Sequence, residues 1–274
     1  MENNKSKILV LIDVKKNIES TLKSTVALAN IINGEITLFY VKKPTDVVNV
    51  DNQLSAIRGI NEDYTLVESK IQKAVNAISK SHNIAINYNF SYGNVKNEII
   101  KHIDENNPDA IVIGKRKAKA VNFIGDNVTN YIIDNFKGLV MIASRKNVLE
   151  PSNELNLGVL KTNNDNKNLL PPDVFLEYST SKVKSFMFIK NTNNSIEKSP
   201  VTNNDNTEYV FEKNENAIKN LSNYIVQNKI NLFCVNRENN IKKEKSVFVK
   251  KEIKNLIDKI DVPLLFTDLR NQVN

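Results

Sequence analysis

The stretch Ala110-Ile-Val-Ile-Gly-Lys-Arg-Lys-Ala-Lys-Ala-Val-Asn-Phe-Ile-Gly125-Asp-Asn-Val128 decides how the chain is read. Four apolar residues make a buried strand, a run of lysine and arginine makes a loop, and Gly125 precedes the start of a helix. A strand that feeds a glycine-punctuated loop into a helix N-terminus is how α/β proteins hold phosphates, because free amides and the helix dipole converge there. Whether this stretch keeps that role depends on the rest of the chain.

Working back from Ala110, Asn94 caps a helix carrying Val95, Ile99 and Ile103, and Asn107-Pro108 closes it. Before it, Ile84–Phe90 alternates strictly, which predicts a strand. Ile57, Ile60, Tyr64, Val67, Ile71, Ala74 and Ile78 form one stripe at three- and four-residue steps, the core face of a long helix. At the start, Lys7-Ile-Leu-Val-Leu-Ile-Asp13 is a near-continuous apolar run ending on a carboxylate, as a parallel strand covered on both faces requires. Asn17 caps the following helix (Ile18, Leu22, Val26, Ala29, Ile32), and Asn33-Gly34 ends it, with the glycine accepting the left-handed conformation. Ile36–Val41 is the second strand. Forward from the loop come a helix over 127–136, which Asp126 is placed to cap, and a fifth strand, Leu139–Ala143. Strands alternating with helices predict a doubly wound, mostly parallel five-stranded sheet with flanking helices.

Residues 144–154 read as a linker, after which the pattern returns in weaker form. Leu157–Lys161 lies 148 residues after Leu9–Asp13, and Phe186–Lys190 lies 148 after Leu38–Lys42. Leu232–Asn236 lies 122 after Ala110–Gly114, and Pro263–Thr267 lies 124 after Leu139–Ala143. Only polar residues 191–207 separate the second and third strands of this copy, so its long helix is lost, and Pro171-Pro172 cuts short its first helix. The expected organisation is a complete α/β domain over 1–146, a linker over 147–154, and a reduced copy over 155–274, giving two doubly wound, mostly parallel five-stranded sheets.

Composition narrows the function. With 41% apolar and 25% charged residues the chain has the balance of a soluble globular protein. No apolar run approaches the roughly 20 residues of a membrane span. The first residues pass straight into a strand, unlike a signal or transit peptide. The net charge of +7 is spread evenly, 20 Lys/Arg against 16 Asp/Glu over 1–150 and 18 against 15 over 151–274, which argues against a nucleic-acid surface. The single cysteine, Cys234, rules out an internal disulfide, lies in a strand as a small core hydrophobe, and fits a reducing, cytoplasmic setting. His82 and His102 fall late in helices, away from any cysteine or carboxylate pair, and read as solvated. No nucleophile–base pair stands out, and no metal site.

In element order and in the residues Ile8–Asp13, Ile36–Val41 and Asp109–Gly114, the chain resembles the universal stress protein family in its tandem form. Pro263 matches the proline that commonly opens that family's final strand. The resemblance implies an ATP site, with Mg²⁺, built from an aspartate ending the first strand, backbone of the second strand, and a Gly-x-x-Gly loop followed nine residues later by Gly-Ser or Gly-Thr. The matching positions are Asp13, Val41, Gly114 and Gly125. Here Lys117 stands in place of the second glycine, the gap before Gly125 is seven residues, and Asp126 replaces the hydroxyl residue. Lysine keeps its amide farther from a phosphate than glycine does, and a carboxylate occupies the anion position at the helix N-terminus. Lys115, Arg116, Lys117 and Lys119 still supply positive charge. In the second copy Lys161 matches Asp13 and Asn236 matches Gly114, which removes the site.

The expected function is therefore a non-enzymatic tandem stress-response scaffold without a required cofactor. Its halves pair through the last strands, 139–143 and 263–267, as an intramolecular pseudo-dimer. The alternative is an ATP-binding switch using the first domain only. A second copy of the chain and a further protein are the other partners expected; a membrane and nucleic acid are not.

Overall fold

A computed structural model describes residues 5–14, 18–43, 53–115, 126–161, 172–189, 201–203, 206–237 and 250–267. The first half runs β1 (Ser6–Leu11), α1 (Ile18–Ile32), β2 (Gly34–Lys42), α2 (Gln53–His82), β3 (Ile86–Tyr92), α3 (Val95–Asn106), β4 (Ala110–Gly114), α4 (Asp126–Asn135) and β5 (Leu139–Ala143). The second runs β6 (Leu157–Lys161), α5 (Asp173–Glu177), β7 (Lys184–Ile189), β8 (Val201–Asn203), β9 (Asn206–Glu212), α6 (Ala217–Gln227), β10 (Leu232–Asn236), α7 (Lys250–Lys259) and β11 (Leu264–Thr267).

The strands form one sheet in the order β3-β2-β1-β4-β5-β11-β10-β6-β7-β9-β8. Neighbours are parallel except at two places: the short β8–β9 pair, and the join of β5 to β11. At that join Val140 faces Phe266, Met141 faces Leu265 and Ile142 faces Leu264. The two expected sheets are thus continuous, and the second carries β8 as an additional strand. Both faces are apolar: α1, α2 and α5 cover one, and α3, α4, α6 and α7 the other. Apolar burial on two faces is why the central strands read as unbroken Val/Ile/Leu runs rather than as alternating ones. Residues 144–156 do not hang free: Leu149 is buried in the α1-side core, and its amide donates to Ser24 Oγ of α1 at 3.2 Å.

Across the sheet, Ile8 faces Ala110 and Leu157 faces Leu232, so Leu157 stands where Ile8 does, an offset of 149 rather than 148. Leu11 faces Phe39 and Leu160 faces Phe186, so Phe186 stands where Phe39 does, an offset of 147. A one-residue slip turns every side chain of a strand to the other face. The cores agree with the corrected register, since Ile8 and Leu157 pack on one face and Leu9 on the other. The connection from β6 to β7 is two residues shorter than that from β1 to β2, which hid the slip behind a constant number. Lys161 consequently takes the position of Ile12, not that of Asp13.

Other differences are local. Gly34 does not close α1: Asn33 does, at φ 49°, and Gly34 begins β2 because a Cβ there would lie 2.5 Å from Ile8 Cδ1. β3 starts two residues later than the alternation predicts, since Asn83 (φ 50°) and the bond from Ile84 N to Ser79 O still finish α2. Tyr64 is 44% exposed rather than core, leaning on Phe90 with ring centroids 4.3 Å apart, while Val67, Ile71, Val75 and Ile78 form the buried stripe. The side chains of Ile57 and Ile60, and Asn17, lie outside the described residues. Asn94 caps α3 by accepting from the amides of Lys96 and Asn97, at 3.1 and 3.2 Å.

With only seven glycines in the chain, asparagine supplies three of the four left-handed helix ends among the described residues: Asn33, Asn83 and Asn107 follow α1, α2 and α3. The remaining one, after α6, is Lys229 at φ 55°, an exposed residue with no local side-chain hydrogen bond to favour that conformation. Lys229→Gly is expected to stabilise the chain by about 0.5–1 kcal/mol in urea unfolding and Lys229→Val to destabilise it; a glycine variant less stable than the parent contradicts this assignment.

Candidate functional site

The sheet order puts β2 on one side of β1 and β4 on the other, so the crossovers diverge between β1 and β4. The crevice beyond the carboxyl ends of strands at such a switch point is where open α/β sheets bind ligands. Three sequence-derived positions meet there. Leu11 is in register with Phe39 and Ile113, which carries Asp13, Val41 and the end of β4 to one rim. Asp13 is half-buried just past β1, whose last amide bond runs from Ile12 N to Phe39 O at 3.3 Å. Val41 is buried on the α3/α4 face. Gly114 ends β4 opposite Ala143. The fourth, Gly125, lies outside the described residues with Arg116, Lys117 and Lys119; of α4 the backbone at Asp126 is described but not its side chain.

Gly114 has a role that requires no ligand. A Cβ on it would lie 2.7 Å from Oγ1 of Thr21, a buried residue of α1, so glycine is what lets α1 seat on β4.

Among the described residues, two cations near the rim, Lys42 and Lys115, are engaged elsewhere. Lys42, almost fully buried, forms an ion pair with Asp63 of α2, and Tyr92 Oη donates to the same carboxylate at 3.2 Å. Burial first, and then Asp63, push the Tyr92 phenol up to about 12. Lys115, the first cation of the basic loop, turns away from the crevice. Its Nζ donates to Ile260 O at 2.6 Å and lies 3.6 Å from Asp261 Oδ1, both in the second half. Desolvation lowers its pKa, and Asp261 opposes that shift. The structure therefore corrects the reading of Lys115 as phosphate-attracting charge.

His102 is corrected as well. Its ring stacks on Phe39 with centroids 4.1 Å apart and 10° between planes, and desolvation lowers its pKa, so it packs rather than standing in solvent. Cys234 is buried and burial pushes its thiol up to about 12, as an unreactive core group. Among the described residues no group of three or more His, Cys, Asp or Glu side chains could hold a metal ion. Among them, too, no helix is long and apolar enough to cross a membrane. In the second half Lys161 lies 3.7 Å from Glu208, and Asn236 takes the place of Gly114. Sequence reasoning missed the Lys42–Asp63–Tyr92 group, whose members are distant in the chain. It also missed Arg237, although the 122-residue offset that relates Gly114 to Asn236 relates Lys115 to Arg237.

A doubly wound sheet continued end to end, with its crevice at the β1/β4 switch point, defines a protein of the α/β class. A family model for the universal stress protein family matches residues 5–144, more than half of the chain. The chain belongs to the universal stress protein family, which places it among stress-response proteins. Among solved structures, a universal stress protein from Archaeoglobus fulgidus DSM 4304 is similar over 97% of this chain and 99% of its own, at 12% identity and a TM-score of 0.62. A protein of unknown function from Pseudomonas aeruginosa PAO1 is similar over 97% of this chain and 93% of its own, at 8% identity and a TM-score of 0.53. At these identities the likeness is one of fold. No curated protein matches the chain.

Gly114→Ala is expected to cost about 1–3 kcal/mol by overpacking against Thr21. Thr21→Ala in the same chain should recover part of that loss, so urea midpoints of the two single variants and the double variant will not add; strict additivity contradicts the contact.

Proposed function

We propose that the chain is a non-enzymatic scaffold of the stress response, in which residues 1–146 and 155–274 are two domains joined by a linker over 147–154. In this reading they act as one intramolecular pseudo-dimer, paired through 139–143 and 263–267. The observation that carries the reading is the direction of Lys115: the cation that opens the candidate phosphate loop is spent on Ile260 and Asp261 of the other half. Lys117 in place of a glycine and Thr21 packed into the space beside Gly114 favour the same conclusion. On this account no cofactor is required, the reduced half serves as the structural partner of the complete one, and the working surface faces a further protein or a second copy of the chain. The lone buried cysteine suits a cytoplasmic setting.

One observation favours a second reading. Asp13, Val41 and Gly114 share a rim at the switch point, and with Gly125 they would hold an adenine nucleotide with Mg²⁺, making the first domain a switch. The residues fit such a group in part: the carboxylate and the strand ends are in place, and the second glycine and the hydroxyl are not. Calorimetry with ATP and Mg²⁺ separates the readings. No heat at millimolar ATP is the result expected for the scaffold; micromolar binding abolished by Asp13→Ala establishes the switch.

A further inference from the structure

The residue that follows β4 and the residue that follows β10 do the same thing in opposite directions. Lys115 follows Gly114 and Arg237 follows Asn236, and their amides make matching bonds, to Ala143 O and to Thr267 O, each at 2.9 Å. Their side chains then cross the β5–β11 join. Lys115 Nζ donates to Ile260 O. Arg237, itself buried, donates from Nη1 to Ile133 O at 3.2 Å and to Phe136 O, and from Nη2 to Gly138 O. Ile260 and Phe136 are equivalent residues that close α7 and α4: each donates its amide to the carbonyl four positions back, Leu256 or Ile132, at 2.9 Å. Their own carbonyls point past the last intrahelical donor, at the negative end of the helix dipole, where a cation is favoured.

We propose that Lys115 and Arg237 are a matched pair of latches, each half's cation seated on the carbonyls that end the other half's last helix, and that they hold the β5–β11 join against local opening. The proposal rests on the pairing of the halves described above.

The two latches differ in strength for a reason visible in the sequence. Asp261, beside Ile260, lies 3.6 Å from Lys115 Nζ and 3.1 Å from Lys146 Nζ, and its carbonyl accepts from Ser144 Oγ and Asn147 Nδ2, each at 2.8 Å. The equivalent position in the first half is Lys137, so that side has a cation where the other has a carboxylate. A guanidinium, with five donors spread over a fixed plane, reaches three separated carbonyls at once, where the compact ammonium of Lys115 donates to Ile260 O beside the Asp261 carboxylate. Arginine on the side without the carboxylate and lysine on the side with it is the arrangement these neighbours require.

The test is amide hydrogen exchange on the full chain, read at Val140–Ile142 and Leu264–Phe266, with β1–β2 as the internal reference. In the unaltered chain the join is expected to be protected. Arg237→Met should accelerate exchange there at least tenfold while β1–β2 stays within about twofold. Lys115→Met should act at the same amides more weakly, and Arg237→Lys should restore part of the protection. Should Arg237→Met fail to fold, Lys115→Met and Arg237→Lys carry the test. A join that is protected and unmoved by these variants overturns the latches and leaves the pairing intact. Acceleration spread equally over all strands also overturns them, since it makes the cations general stabilisers. A join already unprotected in the unaltered chain overturns the pairing itself.

Discussion

The antiparallel join of β5 to β11 is the constraint from which the rest of the molecule follows. The last described strand of each half is fully buried in the joined sheet, through Val140 and Met141 in one and Leu264 and Leu265 in the other. Left as edges, these strands would expose unpaired backbone beside apolar side chains, a template for aggregation. Paired, they make one sheet and let the helical layers run on across it, so that α5 of the second half docks on α1 of the first through Tyr178 Oη and Asn30 O at 2.9 Å. The edges that remain are β3, rimmed by Tyr64, Phe90 and Tyr92, and the short β8.

The first half was largely legible because its signals are local. Unbroken apolar runs identify strands buried on two faces, and Asn94 and Asn107 mark both ends of α3 by their own chemistry. What failed was nearly all non-local. An offset of 148 fits the numbers for β6 and β7 but puts Leu157 and Phe186 on the wrong faces, because a repeat offset carries no information about sheet register. The left-handed conformation falls on Asn33 and not on Gly34, since the reason for a glycine there is Ile8, on a different strand.

The candidate site shows the same division. The sequence identified Asp13, Val41 and Gly114, and the sheet order brings them to one rim. It also counted Lys115 among four cations available to an anion, and nothing local in a run of basic residues says which one is engaged elsewhere. The partner of Lys115 is 145 residues away, and only the fold brings Ile260 within reach. Of the described cations beside the rim, Lys42 is paired with Asp63 and Lys115 with Asp261 of the second half.

The most direct test of the account is whether the join forms within one chain. Nuclear Overhauser effects between the facing backbone protons of Met141 and Leu265 should be strong in uniformly labelled protein. They should be absent between chains when differently labelled molecules are mixed, unfolded and refolded together. Cross-peaks of equal strength in the mixed sample, or contacts that pair Met141 with Met141 of another molecule, would contradict it.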